Sequence, residues 1–398
     1  MATSLTKGTV REVLPNTRSA SENGNGTVAR PLRIAQLAPP FERVPPQRYG
    51  GTERVIAVLT EELVRRGHQV TLFASADSQT SARLVPIVDL PIWRDPRYTD
   101  ALPFLMTAID LVYGRAEEFD VIHNHVGYFA FPRARVCPTP TVTTLHGRLD
   151  LPELAPLFAH FNDLPVVSIS DAQRVPLPSA HWLATVHHGL DLRPFTFQPR
   201  AGDYLAFLGR IAPEKGLDTA IEVARRAGMR LKIAARMPLN IPDPEAQRDW
   251  RYYHEVIEPL LKLPGIEYVG EVGDDAKSAF LGGAAALLFP IRWPEPFGLV
   301  MVEALACGTP VVALRAGSVP EVIDHGVTGF VLDDVDAMVR AIDRLGEIDR
   351  QACRRAAETR FSAAAMAGRY EHVYWQLVTG DVTDVVTGTV TARSRAGR

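Results

Sequence analysis

Glu295 and Glu303 stand in the stretch 293–314, WPEPFGLVMVEALACGTPVVAL, with Gly298 between them. The apolar run AALLFP at 285–290 leads into it and reads as a buried strand, and PVVAL at 310–314 reads as the next strand. A short helix is expected between them. Glu295 lies between two prolines and belongs to the loop. Pro296 is expected at the first helical position, where its missing N–H has no partner to lose. Gly298 admits a close approach to the backbone, and Gly308 stops the helix. The N–H groups of Phe297, Gly298, Leu299 and Val300 then point out of the helix N-terminus and suit an anion such as a phosphate. Glu303, about two turns in, leans back toward that end. There its carboxylate can accept hydrogen bonds from ribose hydroxyls. The plainer alternative is one more strand–helix unit with two surface glutamates.

Three further groups of residues could do chemistry. Arg210 ends the strand-like run YLAFLGR, and Lys215 follows in IAPEKG. Two cations at a strand's carboxyl end can clamp a diphosphate, the arginine as a planar fork and the lysine as a point charge, or can simply be a solvated loop. Gly50 and Gly51 open a helix after the first strand, either as a phosphate approach or as a plain turn. His123, His125 and His146 come from DVIHNH and TVTTLHG. His123 and His125 share one strand face, but no clustered carboxylate or cysteine completes a metal set. His146 at a strand end either meets a ligand or orients its loop through a ring N–H.

Positioning these groups requires parallel sheets. LRIAQLA (32–38), a helix and QVTLFAS (69–75) make a strand–helix–strand unit, with Thr52 as the expected helix N-cap. Short β-branched strands follow at 120–125, 141–147, 165–170 and 184–190. The proline-containing segment 192–203 has no periodicity and reads as a linker. The pattern then restarts at 204–210, with a helix at 217–228, strands at 231–236, 267–272 and 329–334, and a charged helix at 243–262. Asp334 and Asp336 sit where a helix starts, so Asp334 is read as a cap rather than as half of a metal pair. A final helix, 363–378, carries an apolar stripe of Tyr370, Val373, Tyr374 and Leu377. The expected fold class is α/β, with two doubly wound, Rossmann-like halves facing across a cleft. The expected domains are a disordered tail at 1–30, an N-terminal domain at 31–195, a C-terminal donor-binding domain at 196–362, a crossing helix at 363–379 and a disordered tail at 380–398.

The segment from Glu295-Pro-Phe-Gly-Leu through Glu303-Ala-Leu-Ala-Cys-Gly-Thr-Pro-Val-Val resembles the signature of retaining glycosyltransferases of family 4, which have the GT-B fold. GRIAPEKG at 209–216 resembles that family's phosphate-binding segment. The resemblance covers about residues 32–378 and is stronger in the second half. It implies transfer of a hexose from a UDP- or GDP-linked sugar to an acceptor hydroxyl, with retention at the anomeric carbon and without a metal or other cofactor. It places Glu295 and His146 on the transferred sugar as the catalytic pair. Gly50, Gly51, Arg210, Lys215, Phe297, Gly298, Leu299, Val300 and Glu303 become donor-binding residues, with Glu303 on the ribose. It also implies a last helix that crosses back to the first domain. HHGLD at 187–191 departs from the family's Asn-Gly-(Ile/Val)-Asp at His188, and Ala234-Ala235-Arg236 stands where a Gly-rich turn is usual. A nucleotide-sugar epimerase of the same architecture and a non-catalytic sugar-nucleotide binder are the alternatives. The acceptor class stays open among saccharide, lipid-linked and small-molecule hydroxyls.

The chain has 398 residues with 46% hydrophobic and 22% charged content, a globular composition with room for two or three domains. A net charge of −3 offers no global attraction to nucleic acid, so no nucleic-acid partner is expected. Three scattered cysteines, no apolar leader and no long apolar run point to a reduced, cytoplasmic protein without a membrane span, although peripheral membrane contact is compatible with all of this.

Overall fold

The computed structural model describes residues 30–380 apart from 48, 49, 96, 99 and 242. The expected disordered tails therefore lie outside the described residues, save for Arg30 and Gly380. The described residues from Leu32 to Gly380 belong to one compact unit; of the preceding unit, 1–31, only Arg30 and Pro31 are described.

Two all-parallel sheets organise the chain. The first contains β1 (Arg33–Leu37), β2 (Gln69–Ser75), β3 (Arg83–Val88), β4 (Val121–Asn124), β5 (Thr141–Thr144), β6 (Val166–Ser168) and β7 (Trp182–Thr185), in the order β3-β2-β1-β4-β5-β6-β7. The second contains β8 (Tyr204–Arg210), β9 (Arg230–Arg236), β10 (Ile266–Gly270), β11 (Ala286–Phe289), β12 (Val311–Leu314) and β13 (Gly329–Leu332), in the order β10-β9-β8-β11-β12-β13. These are the two doubly wound halves expected from the repeated strand–helix pattern, here called the N- and C-terminal lobes. Each order reverses beside its first strand, between β1 and β4 and between β8 and β11. Open parallel sheets bind ligands beyond strand carboxyl ends at such reversals.

Sequence and structure differ at several places, each for a local reason. β3, RLVPIV, contains Pro86 and has no clean alternation; an edge strand tolerates a proline that a central one would not. The helix Gly51–Arg65 starts one residue before Thr52, and its N-cap is Gly50. The expected single helix at 243–262 is Pro244–Tyr252, a π-helical turn at Tyr253–Ile257, and Glu258–Leu260. Pro259 cannot donate to the preceding turn, which favours the wider bonding there. The strand expected at 184–190 ends at Thr185. Beyond it the chain leaves the sheet, and Leu190 pairs with Ser362, its N–H donating to Phe361 and its carbonyl accepting from Ala363. Asp334 does cap its helix, accepting from the Ala337 N–H.

The last helix, Ala363–Thr379, packs on the N-terminal lobe. Met366, Tyr370, Val373 and Tyr374 share one buried cluster with Leu32, Ile34, Val55 and Leu59. The two tyrosine hydroxyls do not face water. Tyr374 receives Gln36 Nε2 at 3.2 Å and lies 2.7 Å from His123 Nδ1. Tyr370 lies 2.9 Å from Thr144 Oγ1, which meets His123 Nε2 at 2.7 Å. Both His123 nitrogens are thereby taken by the core. Replacing Tyr374 by Phe keeps the ring but strands Gln36 Nε2 and His123 Nδ1 in a dry interior. It is expected to cost about 1–3 kcal/mol of stability, read as an earlier urea midpoint with an unchanged slope.

Candidate active site

All eleven residues given catalytic or donor-binding roles from the sequence line one cavity of about 660 Å³ at the carboxyl edges of both sheets. From the N-terminal lobe come Gly50 and Gly51, after β1, and His146, after β5. From the C-terminal lobe come Arg210 and Lys215, after β8, and Glu295, Phe297, Gly298, Leu299, Val300 and Glu303, after β11.

The loop carrying Glu295 is held by contact rather than by helix geometry. The helix is Leu299–Ala306, and Gly298 is its N-cap at φ 77°. Pro296 therefore sits in the loop and not at a first helical position. The left-handed residue turns the chain sharply enough that the helix starts three residues later. Leu299 and Val300 present the first helical N–H groups, while the Met301 N–H already donates to the Gly298 carbonyl at 3.0 Å. The Phe297 ring is buried against His188. Behind the loop, Gly317 has φ 52°, and a Cβ there would stand 2.3 Å from the Glu295 carbonyl oxygen. The Ser318 N–H donates to that same carbonyl. Glu295 is thus gripped through its own backbone.

Each glutamate has a lysine. Glu295 Oε2 takes Lys215 Nζ at 2.6 Å and the Trp293 indole N–H at 2.9 Å, and the Trp293 ring also lies under the Lys215 ammonium. Glu303 Oε1 takes Lys277 Nζ at 2.7 Å, and both side chains are nearly buried. Lys277 also reaches Asp274 at 3.4 Å, and Asp274 pairs with Arg54 of the opposite lobe at 2.7 Å. A row of alternating charge therefore runs from Glu303 across the cleft. A second crossing is made by Glu321, which accepts from the N–H groups of Asp171 and Ala172 and pairs with His187 Nε2 at 3.0 Å.

Arg210 is placed differently from the simple clamp expected. Its guanidinium sits among Glu214, Asp249 and Glu245 at 2.7, 3.1 and 3.0 Å. These three carboxylates have oxygens close enough together to suit a cation, and that charge is supplied here by Arg210 and, for Glu214 and Asp249, by Arg248 as well. Lys215 and Arg210 line the same cavity but bond different acids.

On the N-terminal wall, His125 Nδ1 and His146 Nε2 are 2.9 Å apart, and His188 stacks on His146 with centroids 5.2 Å apart. Burial drives His123, His125 and His188 well below the ordinary imidazole range and His146 down to about 3. These rings are neutral in the fold at physiological pH. Lys277, Arg54, Trp293, Glu53 and His188 also line the cavity and were not assigned a role from the sequence. Lys277 lies in an ordinary amphipathic segment with no motif to mark it. Gln36 did carry a signal, as a lone amide in the apolar run LRIAQLA.

Two family models match the chain: "Glycosyl transferases group 1" over residues 192–360 and "Glycosyltransferase Family 4" over residues 49–200. The D-inositol 3-phosphate glycosyltransferase of Mycolicibacterium smegmatis is 27% identical over 352 residues, covering 72% of this chain and 76% of its own. An uncharacterized protein of the Klebsiella pneumoniae cps region is 31% identical over 176 residues, and the match spans 45% of its length. Among solved structures, the sucrose-phosphate synthase of Thermosynechococcus elongatus matches with a TM-score of 0.71 at 18% identity, covering 88% of this chain and 100% of that one. Anabaena HepE in complex with UDP-glucose matches with a TM-score of 0.65 at 18% identity, covering 87% and 100%.

Glu53 yields a test of how dry this wall is. It lies in the first turn of the helix Gly51–Arg65, is almost wholly buried, and is raised by that burial from 4.5 to about 7. The folded protein then keeps a proton that the unfolded chain releases between pH 4.5 and 7. Stability falls as pH rises through that window, by up to about 3 kcal/mol. Glu53→Gln is expected to remove this slope and to be the more stable protein at pH 8 but not at pH 4, as measured by urea midpoints at the two pH values.

Proposed function

The chain belongs to the group 1, family 4-type glycosyltransferases of the GT-B fold, and on that premise we propose that it moves a hexose from a nucleoside diphosphate sugar to an acceptor hydroxyl with retention of configuration and without a metal. The observation that carries this reading is the pairing on one cavity wall of Lys215 with Glu295 and Lys277 with Glu303, beside the glycine-capped helix Leu299–Ala306.

In this reading Glu303 accepts the ribose hydroxyls, the helix N-terminus and Lys215 receive the diphosphate, and Glu295 positions the sugar. The acceptor oxygen bonds to the anomeric carbon as the bond from that carbon to the diphosphate oxygen breaks, and the acceptor proton leaves with the diphosphate. Negative charge grows on the leaving group, and fixed positive groups aimed at it lower the barrier. In this reading Lys215 and the first N–H groups of Leu299 and Val300 supply that positive charge, which is what supports a mechanism without a metal. HepE has been crystallised with UDP-glucose, and a UDP- or GDP-linked hexose is the donor class proposed here. No observation favours the epimerase or the non-catalytic binder.

The Lys215–Glu295 bond changes what a substitution at Glu295 does. Glu295→Gln removes a negative charge beside the diphosphate site and releases Lys215 toward it. Binding of free nucleoside diphosphate is expected to hold or tighten while single-turnover transfer slows. Glu303→Gln weakens both free nucleotide and donor, since ribose is common to the two. Calorimetry with UDP and GDP beside single-turnover rates measures both, and the opposite pattern reverses the assignment.

Lys215→Ala is expected to weaken nucleoside diphosphate binding by about 1.5–3 kcal/mol, the worth of a charge-assisted bond, with the fold intact by circular dichroism. Turnover in excess EDTA is expected to match turnover without it; activity that returns only on adding Mg²⁺ or Mn²⁺ would sink the metal-free mechanism.

A further inference from the structure

Gln36 lies on the inner strand β1 and is fully buried, bonded to His125, which lines the cavity as Gln36 does not. Its Oε1 is 2.6 Å from His125 Nε2, and its Nε2 donates to the Tyr374 hydroxyl. An amide oxygen only accepts, so His125 Nε2 carries the hydrogen. A neutral imidazole has one N–H, which leaves His125 Nδ1 as an acceptor. The nitrogen facing it at 2.9 Å is His146 Nε2, which must therefore donate. The only ring proton of His146 is then spent inside the wall, and its Nδ1 bears a bare lone pair.

That Nδ1 is buried and has no hydrogen-bond partner among the described residues, on a ring that lines the cavity. A buried acceptor without a donor costs stability, and a ligand hydroxyl can supply one. The direction of the whole column depends on the Gln36 amide. Turning the amide over would place N–H against His125, reverse each bond, and make His146 Nδ1 a donor. In the structure Gln36 Nε2 faces the Tyr374 hydroxyl of the last helix and Oε1 faces His125, which is the first direction; a hydroxyl can serve either orientation of the amide, so the direction is what the spectra below test.

We infer that Gln36, acting through His125, fixes His146 as a hydrogen-bond acceptor toward the cleft, so that the donor-sugar hydroxyl meeting it must donate. Gln36 is a positioning residue in this arrangement. The sugar part of the inference rests on the proposed reading that the transferred hexose lies against His146; the tautomer part does not.

The two parts separate experimentally. Nitrogen-15 spectra of the full-length protein give the tautomer of His146 without any ligand. A bare Nδ1 is expected in the parent and in Gln36→Glu, whose carboxylate also only accepts, and loss of that single tautomer is expected in Gln36→Leu. A protonated Nδ1 in the parent, or an unchanged tautomer in Gln36→Leu, overturns the assignment. For the sugar, binding is measured with UDP-glucose or GDP-mannose, whichever binds more tightly, and with analogues in which each sugar hydroxyl in turn becomes hydrogen or fluorine. Fluorine accepts weakly and cannot donate. At the hydroxyl whose loss is felt by the parent but not by His146→Ala, the fluoro analogue is expected to bind no better than the deoxy one, each on the order of tenfold weaker than the parent sugar. Recovery of affinity by fluorine at that position overturns the acceptor role. Identical profiles for the parent and His146→Ala would instead remove the sugar from His146 and so overturn the sugar part, while the tautomer is decided by the spectra alone.

Discussion

A charge on the wall of a half-buried cavity has to be matched where it stands, because removing it from water without a partner costs more than the fold can spare. Lys215 with Glu295 and Lys277 with Glu303 meet that requirement at 2.6 and 2.7 Å. Arg210 meets it with three carboxylates at once. The same pairing gives the site its chemistry. Lys215 is held beside the glycine-capped end of the helix Leu299–Ala306, and Glu295 and Glu303 are each oriented by bonds to one carboxylate oxygen. The site is therefore preorganised by the interactions that make its burial tolerable, and a substitution at one member of a pair changes the reach of the other.

The two lobes use different means to present their groups. The C-terminal lobe works by steric fit. Gly298 turns the chain into the helix, and Gly317 leaves no room for a Cβ beside the Glu295 backbone. The N-terminal lobe works by directed hydrogen bonds, in a column from Gln36 through His125 to His146. Its neutral rings follow from burial, and its direction is that of the Gln36 amide. The last helix thus both completes the core of the N-terminal lobe and, through Tyr374, bonds the far end of a column that ends at the cavity.

Across the cleft the lobes touch through charge, Arg54 with Asp274 and Glu321 with two backbone N–H groups and His187, as well as through Phe297 against His188. The charged contacts are directional and exposed in part, and they can be exchanged with water at small net cost. The aromatic and aliphatic contacts of the last helix cannot be exchanged so easily.

Local chemistry in the chain determined the two parallel sheets, the strand ends at which Arg210, His125 and Glu295 emerge, and the glycines that turn the backbone beside them. Apolar period, β-branching and turn residues act over a few positions, so they can be read in order. Even there the details slipped where a neighbour intervened. Gly298 rather than Pro296 opens the motif helix, and the strand at 184–190 stops early because Leu190 pairs with Ser362. Only the tertiary structure decided which acid holds which cation. Lys277 is separated from Glu303 by 26 residues and Lys215 from Glu295 by 80, and nothing in a linear pattern distinguishes them from solvated surface charge. It also decided that Gln36 of β1, His125 just beyond β4 and His146 just beyond β5 form one column with Tyr374 of the last helix. Hydrogen-bond direction depends on the simultaneous positions of all those groups, and that is a property of the folded chain alone.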